Sequence, residues 1–428
     1  MQSFEQKTHS TPEERAILIG VQRPRELQSY EPPLTELGNL ADTVGVEVVG
    51  KLIQRRHKFH PGTYMGKGKL QELKTLAEET DATLIISDHD LSPGQSRNIE
   101  EMTDIRVIDR TELILDIFAQ HAKTKEATLQ VDLAQMEYVM PRLKRMWTHL
   151  EGSQGGVGFR GPGEKQLETD RQIIKKKIAD CKSAIRKIQE RKNREVKSRN
   201  QKFFTIGLVG YTNAGKSSLM NVLTEADVLV ENKLFATLDT RTRLWNLAQA
   251  RKVLLSDTVG FIDKLPHHLV ASFRATLEEA AQSDVLLHVV DASHPDAERH
   301  IMVVERVLRK MKLNEKNALY VFNKIDLVED PVDLENLKRA YPNHVCISAK
   351  HKQNMDLFSA KVLGIFEANM IEVQAVVPAK NGKLLSWVAE CARIIEREFK
   401  EQSVHLRISL SHANLEWLRK QHGVQILA

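Results

Sequence analysis

The chain has 428 residues, enough for about three domains at roughly 150 residues each. With 41% hydrophobic and 28% charged residues its composition is ordinary for a globular protein, which excludes wholesale disorder and collagen-like repetition. Three scattered cysteines (Cys181, Cys346 and Cys391) exclude a disulfide framework or a four-thiolate zinc site, and 5% aromatic residues exclude a surface built mainly on base-stacking rings. No run of about 20 apolar residues occurs and Met1 to Ser10 is polar, so a cytoplasmic protein without a membrane span is expected. The net charge of +5 is local: residues 121–200 hold 19 Lys and Arg against 10 Asp and Glu, leaving the rest net negative. A basic segment on a near-neutral chain points to a polyanionic partner.

Residues 1–122 alternate β-rich runs with helical stretches. Ala16–Val21, Val46–Val49, Ala82–Ile86 and Ile105–Ile108 read as strands, and Leu34–Asp42, Lys69–Glu79 and Ser96–Met102 as helices. That order predicts a parallel sheet with helices on its faces. The polar stretch Arg55–Gly68 lacks Walker spacing and reads as a loop.

Residues 123–200 form two helical arms. Leu129, Leu133, Met136, Met140, Leu143 and Trp147 line one seam at alternating steps of four and three, and Ile174, Ile178, Cys181, Ile185 and Ile188 line another. One seam per arm is too narrow for burial all round, so an antiparallel hairpin is expected, kinked where Pro141 removes a backbone donor. The connection, Glu151 to Gly163, carries six glycines with Phe159, Arg160 and Pro162. Gly156, Gly158 and Gly161 match G-x-G-x-x-G, but no strand precedes them, which rejects a dinucleotide fingerprint. Glycines let a backbone approach a surface closely, and with Arg160, Lys144 and Arg145 nearby the tip reads as an RNA probe. Beyond it, Lys175, Lys176, Lys177, Arg186, Lys187, Arg191, Lys192 and Arg194 fit phosphate contact.

Residues 201–368 carry the chemistry. Phe204–Val209 is a buried strand, and Gly210, Tyr211, Thr212, Asn213, Ala214, Gly215, Lys216 and Ser217 fit G-x-x-x-x-G-K-[ST], with a helical run from Ser218 to Thr224 behind them. Such a turn aims backbone N–H groups at phosphates at a helix N-terminus. Lys216 would reach the β- and γ-phosphates and Ser217 would ligate Mg²⁺. Asp257-Thr258-Val259-Gly260 follows the apolar run Val253–Leu255: its carboxylate can hold Mg²⁺ through water, and the Gly260 N–H can sense the γ-phosphate. Asn323, Lys324 and Asp326 close the strand Ala318–Phe322. Guanine presents N1–H and N2–H₂ on one edge, and the acceptor fork of a buried Asp326 matches both. Ser348, Ala349 and Lys350 close the strand Val345–Ile347, where the Ala349 N–H can donate to guanine O6. Four motifs at strand ends in this order define a GTP-binding domain that uses GTP/GDP.

Between the first two motifs, Phe235, Ala236, Thr237, Leu238 and Asp239 would wrap the phosphates. Thr237 is the candidate switch threonine, meeting Mg²⁺ and the γ-phosphate only in the triphosphate state, with Thr240 and Thr242 as alternatives. Lys216, Thr237 and Gly260 are the candidate catalytic residues, and Ser217 and Thr237 the metal ligands. Phe261 stands where many GTPases place Gln, and it can neither orient water nor transfer a proton, so slow intrinsic hydrolysis stimulated by a partner is expected. The Asn213 carboxamide could coordinate K⁺ against the phosphates. Residues 369–428 read as a small βαβα module, with strands at Ile371–Val377 and Val404–Ser409 and helices at Lys383–Phe399 and His412–Lys420.

Gly155 to Arg171, Gly210 to Ser217, Phe235 to Asp239 and Asp257 to Ile262 together resemble the HflX GTPase family, as do Leu91-Ser-Pro93 and Ile108-Asp-Arg-Thr111. The likeness covers most of the chain. It implies a protein that binds the large ribosomal subunit and its rRNA and splits stalled or idle ribosomes in a GTP-dependent way, the glycine-rich tip reaching the peptidyl-transferase region. Thr240 departs from the Pro that the family carries after the switch Asp. A multidomain α/β monomer is expected: an N-terminal parallel α/β domain (1–122), an antiparallel helical hairpin (123–200), a doubly wound P-loop GTPase domain (201–368) and a small α+β domain (369–428). The competing class is a regulatory GTPase switch acting on a protein partner without RNA contact. A GTP-dependent RNA-modifying enzyme would need a second catalytic centre, and His57, His60, His267 and His268 read as surface histidines.

Overall fold

Six consecutive buried residues, Ala16–Val21, make β1 (Arg15–Gln22) an inner strand of a parallel sheet. The computed structural model describes residues 14–24, 30–143, 162–224, 234–235, 241–247, 251–258, 260–264, 283–310, 318–400 and 402–427. The glycine-rich tip up to Gly161, with Lys144, Arg145 and Trp147, lies outside the described residues, as do Ala236, Thr237, Leu238, Asp239, Thr240, Val259, His267 and His268. After β1 come α1 (Thr35–Thr43), β2 (Glu47–Arg55), α2 (Lys67–Thr80), β3 (Leu84–Ser87), α3 (Pro93–Thr103), β4 (Arg106–Asp109), α4 (Arg110–His121) and α5 (Lys125–Val139). The sheet order is β2-β1-β3-β4, all parallel. On one face Ile17, Ile19, Leu70, Leu73, Ile85 and Ile99 form a core.

One sequence expectation changes here. β2 runs six residues past Val49, through Gly50. That glycine reads as a break, yet its missing Cβ admits Leu76 and Ile17, whose carbons would stand 3.2 and 3.4 Å from one. α4, for which no element is expected from the sequence, buries its run Leu113–Phe118 apart from Asp116. Asp109 caps it, its carboxylate accepting from the Glu112 N–H at 3.0 Å.

Pro141 turns the end of α5 into a 3₁₀ turn, Met140–Arg142. The second arm is one helix, α6 (Pro162–Lys202), opening on Pro162. Its seam residues Ile174, Ile178, Cys181, Ile185 and Ile188 are the covered side. Lys175, Lys176, Lys177, Arg186, Lys187, Arg191 and Arg194 are exposed, and Lys192 is half-buried. Glu137 of α5 pairs with Lys182 of α6 at 2.8 Å. α5 also buries a second stripe, Ala127, Val131, Ala134 and Tyr138, and it packs on α4.

The remaining elements are β5 (Phe204–Gly210), α7 (Lys216–Thr224), β6 (Arg241–Leu247), β7 (Arg251–Asp257), β8 (Val285–Asp291), α8 (Ala297–Lys310), β9 (Ala318–Asn323), α9 (Pro331–Ala340), β10 (His344–Cys346) and α10 (Met355–Ala368). Their sheet has the order β10-β9-β8-β5-β7-β6, parallel except for β6. β5 is fully buried, and Ile206, Leu208, Leu255, Leu287, Leu319 and Val321 centre the core. Every parallel strand ends on the same edge, which is where the sequence motifs fall.

The last segment is β11 (Met370–Pro378), α11 (Gly382–Cys391), β12 (Arg393–Lys400), β13 (Ser403–Ser411), α12 (His412–Arg419) and β14 (Gln425–Leu427), an antiparallel sheet of order β12-β13-β11-β14. The βαββαβ order is that of a ferredoxin-like unit. The helix expected over Lys383–Phe399 therefore stops at Cys391, and residues 393–400 are an edge strand. Seven of that strand's eight residues are exposed, so no alternating apolar face marks it and its charges imitate a helix surface.

The chain forms two compact units: residues 1–186 with 231–238 and 263–274, and residues 187–230, 239–262 and 275–428. Within the first, Arg110 is 2% exposed and its guanidinium meets Asp88 at 2.9 Å, Glu36, and the Asp263 carbonyl at 3.2 Å. Lys264 reaches Asp88 at 2.6 Å. Burial alone would raise the Asp88 carboxyl, but Arg110 and Lys264 beside it outweigh that and hold it below the usual carboxylate range. Among the described residues no helix is long and apolar enough to cross a membrane.

Candidate functional site

β5 delivers the chain to the sheet edge at Gly210, and the turn from Tyr211 to Gly215 leads into α7. Two glycines make this path possible. A Cβ on Gly210 would stand 2.2 Å from the Val289 carbonyl oxygen. One on Gly215, at φ +92°, would stand 2.2 Å from the Asn323 carboxamide nitrogen. Asn213 takes the left-handed region too, at φ +59°, and is exposed on the rim. Ser218 lies half-buried in the first turn of α7.

Lys216 is 6% exposed, and its ammonium donates to the carbonyls of Gly210 at 3.1 Å and Tyr211 at 2.8 Å. Burial pushes it down to about 8, against the pull of Asp257. Behind it on β8, His288 is buried and depressed to about 3, first by burial and then by the Lys216 charge, so it is neutral at working pH. Nothing in the sequence marks His288 as part of this environment, because it sits mid-strand among apolar residues.

The Ser217 hydroxyl donates to Asp257 Oδ2 at 2.8 Å, and Asp257 is 1% exposed. A hydroxyl and a carboxylate side by side are hard oxygen donors of the kind Mg²⁺ takes, so the pair fits that ion. Thr258, a candidate nucleotide contact from sequence, has its hydroxyl committed elsewhere: it donates to the Leu208 carbonyl at 2.7 Å and ties β7 to β5. Gly260 lies against the phosphate loop. A Cβ there would meet the Thr212 Cα at 2.9 Å and Lys216 Nζ at 3.1 Å. Phe261 is buried, its N–H donating to the Gly210 carbonyl at 3.1 Å and its carbonyl accepting from the Thr212 N–H at 2.7 Å.

On the base side, Asn323 is 2% exposed and braces two loops. Its Nδ2 donates to the Ala214 carbonyl at 2.9 Å, and its Oδ1 accepts from the Ala349 N–H at 3.0 Å. The Ala349 N–H thus gives that buried carboxamide oxygen the donor it needs. Lys324, at φ +61°, ion-pairs with Asp291 at 2.6 Å, a partner that the sequence does not mark except by its place at the end of β8. Asp326 stands on the 3₁₀ turn Ile325–Leu327, with its backbone open and its side chain 13% exposed. The Ser348 hydroxyl bonded to it holds its carboxyl below the usual range, and His351 Nε2 lies 3.4 Å away. Ser348 and Ala349 are buried and Lys350 is exposed.

Of the switch candidates, Phe235 belongs to the first unit, its ring packed edge-on against Phe118 with centroids 4.6 Å apart. Thr242 lies in β6 with its hydroxyl 3.2 Å from that of Ser256.

Family models match the chain in succession: GTP-binding GTPase N-terminal over residues 31–119, GTP-binding GTPase middle region over 121–199, and 50S ribosome-binding GTPase over 205–324. A GTPase HflX from Lacrimispora saccharolytica is 41% identical over 92% of both chains, and one from Escherichia coli is 38% identical over 95% of both. The chain belongs to the HflX GTPase family. A GTP-binding protein from Sulfolobus solfataricus solved in complex with GDP is 25% identical, covering 82% of this chain and 98% of that one at a TM-score of 0.43. As a member of the HflX family the chain binds guanine nucleotide and hydrolyses GTP.

The depressed Lys216 sets a pH dependence for nucleotide binding. Its ammonium loses the proton as pH rises through about 8, whereas an unperturbed lysine would hold it to about 10.4. Nucleotide affinity measured by fluorescence titration should be level below pH 7 and fall between pH 8 and 9. A flat profile to pH 9.5 would contradict this placement of the charge.

Proposed function

We propose that Lys216, Ser217, Asp257 and Gly260 hold the triphosphate and that Asp326 reads the base, in a GTPase that acts on the large ribosomal subunit. The observation that carries the nucleotide reading is the Asn323 brace, which joins the phosphate loop to the Ser348–Lys350 loop so that both ends of one ligand are gripped together. Lys216 would meet the β- and γ-phosphates, giving up its bonds to the Gly210 and Tyr211 carbonyls in part. Ser217, with Thr237 and the water-mediated Asp257, would hold Mg²⁺, which when bound neutralises charge developing on the phosphate oxygens. The γ-phosphate would order Thr237 and the Gly260 N–H, and their release after hydrolysis would change the protein's hold on its partner. Phe261 offers no group to orient water, so intrinsic turnover is slow and the partner stimulates it.

The ribosomal partner is supported by helix α6, basic on its exposed side, by the glycine-rich tip, and by the family model described as a 50S ribosome-binding GTPase. The finer action is splitting of stalled or idle ribosomes, with the tip reaching rRNA and the domains at 1–122, 123–200, 201–368 and 369–428 acting in one monomer in the cytoplasm.

Three experiments test this reading. Asp326→Asn replaces one acceptor by a donor, so GTP affinity should fall at least about 100-fold while xanthosine triphosphate gains affinity; equal GTP binding by the variant would remove Asp326 from the base. In sedimentation at moderate salt the protein with a non-hydrolysable GTP analogue should travel with the large subunit and convert 70S particles to subunits. Absence from the large-subunit fraction would favour the regulatory-switch alternative. Asn213 would support K⁺ against the phosphates, so turnover should rise several-fold from Na⁺ to K⁺ buffer, and equal rates would eliminate that role.

A further inference from the structure

A side chain from outside the four nucleotide motifs touches the phosphate loop. His300, in the first turn of α8, lies flat on the ring of Tyr211, with centroids 3.7 Å apart and planes 7° from parallel. Tyr211 is the second residue of the loop and only 8% exposed. Its carbonyl is the nearer of the two acceptors of the Lys216 ammonium, at 2.8 Å. The ring and the carbonyl belong to one residue, so pinning the ring limits how far the residue that holds the lysine can move.

His300 is itself fixed in place. Its backbone N–H donates to the Asp296 carbonyl at 3.0 Å, and the ring of His294 lies 4.3 Å from its own. His294 Nδ1 accepts from the Asp296 N–H at 3.0 Å, which places the proton of a neutral His294 at Nε2 and locks the turn that starts α8. The stack therefore ties the loop at the end of β5 to the turn at the end of the neighbouring β8.

We propose that His300 is a positioning residue of the nucleotide site, whose flat contact with Tyr211 sets the pose of the phosphate loop and thereby of Lys216. The proposal rests on the reading that this loop holds the phosphates. A planar ring is required and a particular nitrogen is not, because the contact is face to face. Loss of the ring acts on ground-state binding of both GTP and GDP, since Lys216 serves the β-phosphate, which both nucleotides carry.

The test is nucleotide binding and steady-state hydrolysis by the full chain. His300→Ala should weaken GTP and GDP about tenfold and raise KM in proportion, with kcat at saturation within about twofold. His300→Phe should restore wild-type affinity, and His300→Gln, which keeps polarity without the ring, should behave as His300→Ala. Tyr211→Ala combined with His300→Ala should be no weaker than Tyr211→Ala alone. Wild-type affinity in His300→Ala, or no rescue by His300→Phe, would overturn the proposal. Lys216→Ala separates the two readings: if it binds nucleotide normally, the loop assignment itself fails, whatever the His300 variants do.

Discussion

The carboxamide of Asn323 is the contact on which the nucleotide pocket depends. A backbone carbonyl on one side and a backbone N–H on the other need a group that donates and accepts at once, and an amide does both. Asn323→Asp would set a carboxylate against the Ala214 carbonyl, and Asn323→Leu would leave two buried backbone groups unpaired at about 1–3 kcal/mol each. The close approach also explains the sequence of its neighbour: Gly215 has no Cβ because the Asn323 nitrogen occupies that space. Two strand-end loops are thus held together by one side chain.

Much of this was legible in the sequence because its causes are local. A buried parallel strand is a continuous apolar run, and a phosphate loop needs glycines at set intervals, so β5 and residues 210–217 could be read directly. The seam of α6 was legible for the same reason, since every fourth or third residue must be apolar to cover one side. The elements that escaped have distant causes. β12 is a strand because β13 pairs with it, and its own residues, exposed on nearly every position, carry no record of that pairing. The second stripe of α5 uses Ala127 and Ala134, small residues whose burial depends on how closely α4 approaches.

The site divides in the same way. Motif residues were identifiable by type and spacing, but the partner of each was not. That Asn323 takes the Ala349 N–H, that Asp291 pairs with Lys324, and that Thr258 serves β5 all depend on which loops the sheet order places side by side. Composition gave no sign of the buried charges around Arg110 either. Such a guanidinium is tolerable only when two carboxylates and a carbonyl surround it, and those come from Glu36, Asp88 and Asp263, far apart in the chain.

The first unit is discontinuous, and this bears on how the polypeptide emerges during synthesis. Residues 1–186 are translated first, but the segments 231–238 and 263–274 that complete the unit follow later. At bacterial-like elongation speeds the interval is on the order of ten seconds. Until residue 235 is made Phe118 lacks the ring of Phe235, and until residue 264 is made Asp88 lacks the ammonium of Lys264. Until the downstream stretch has been made, the nascent chain therefore lacks two of the contacts that complete this unit.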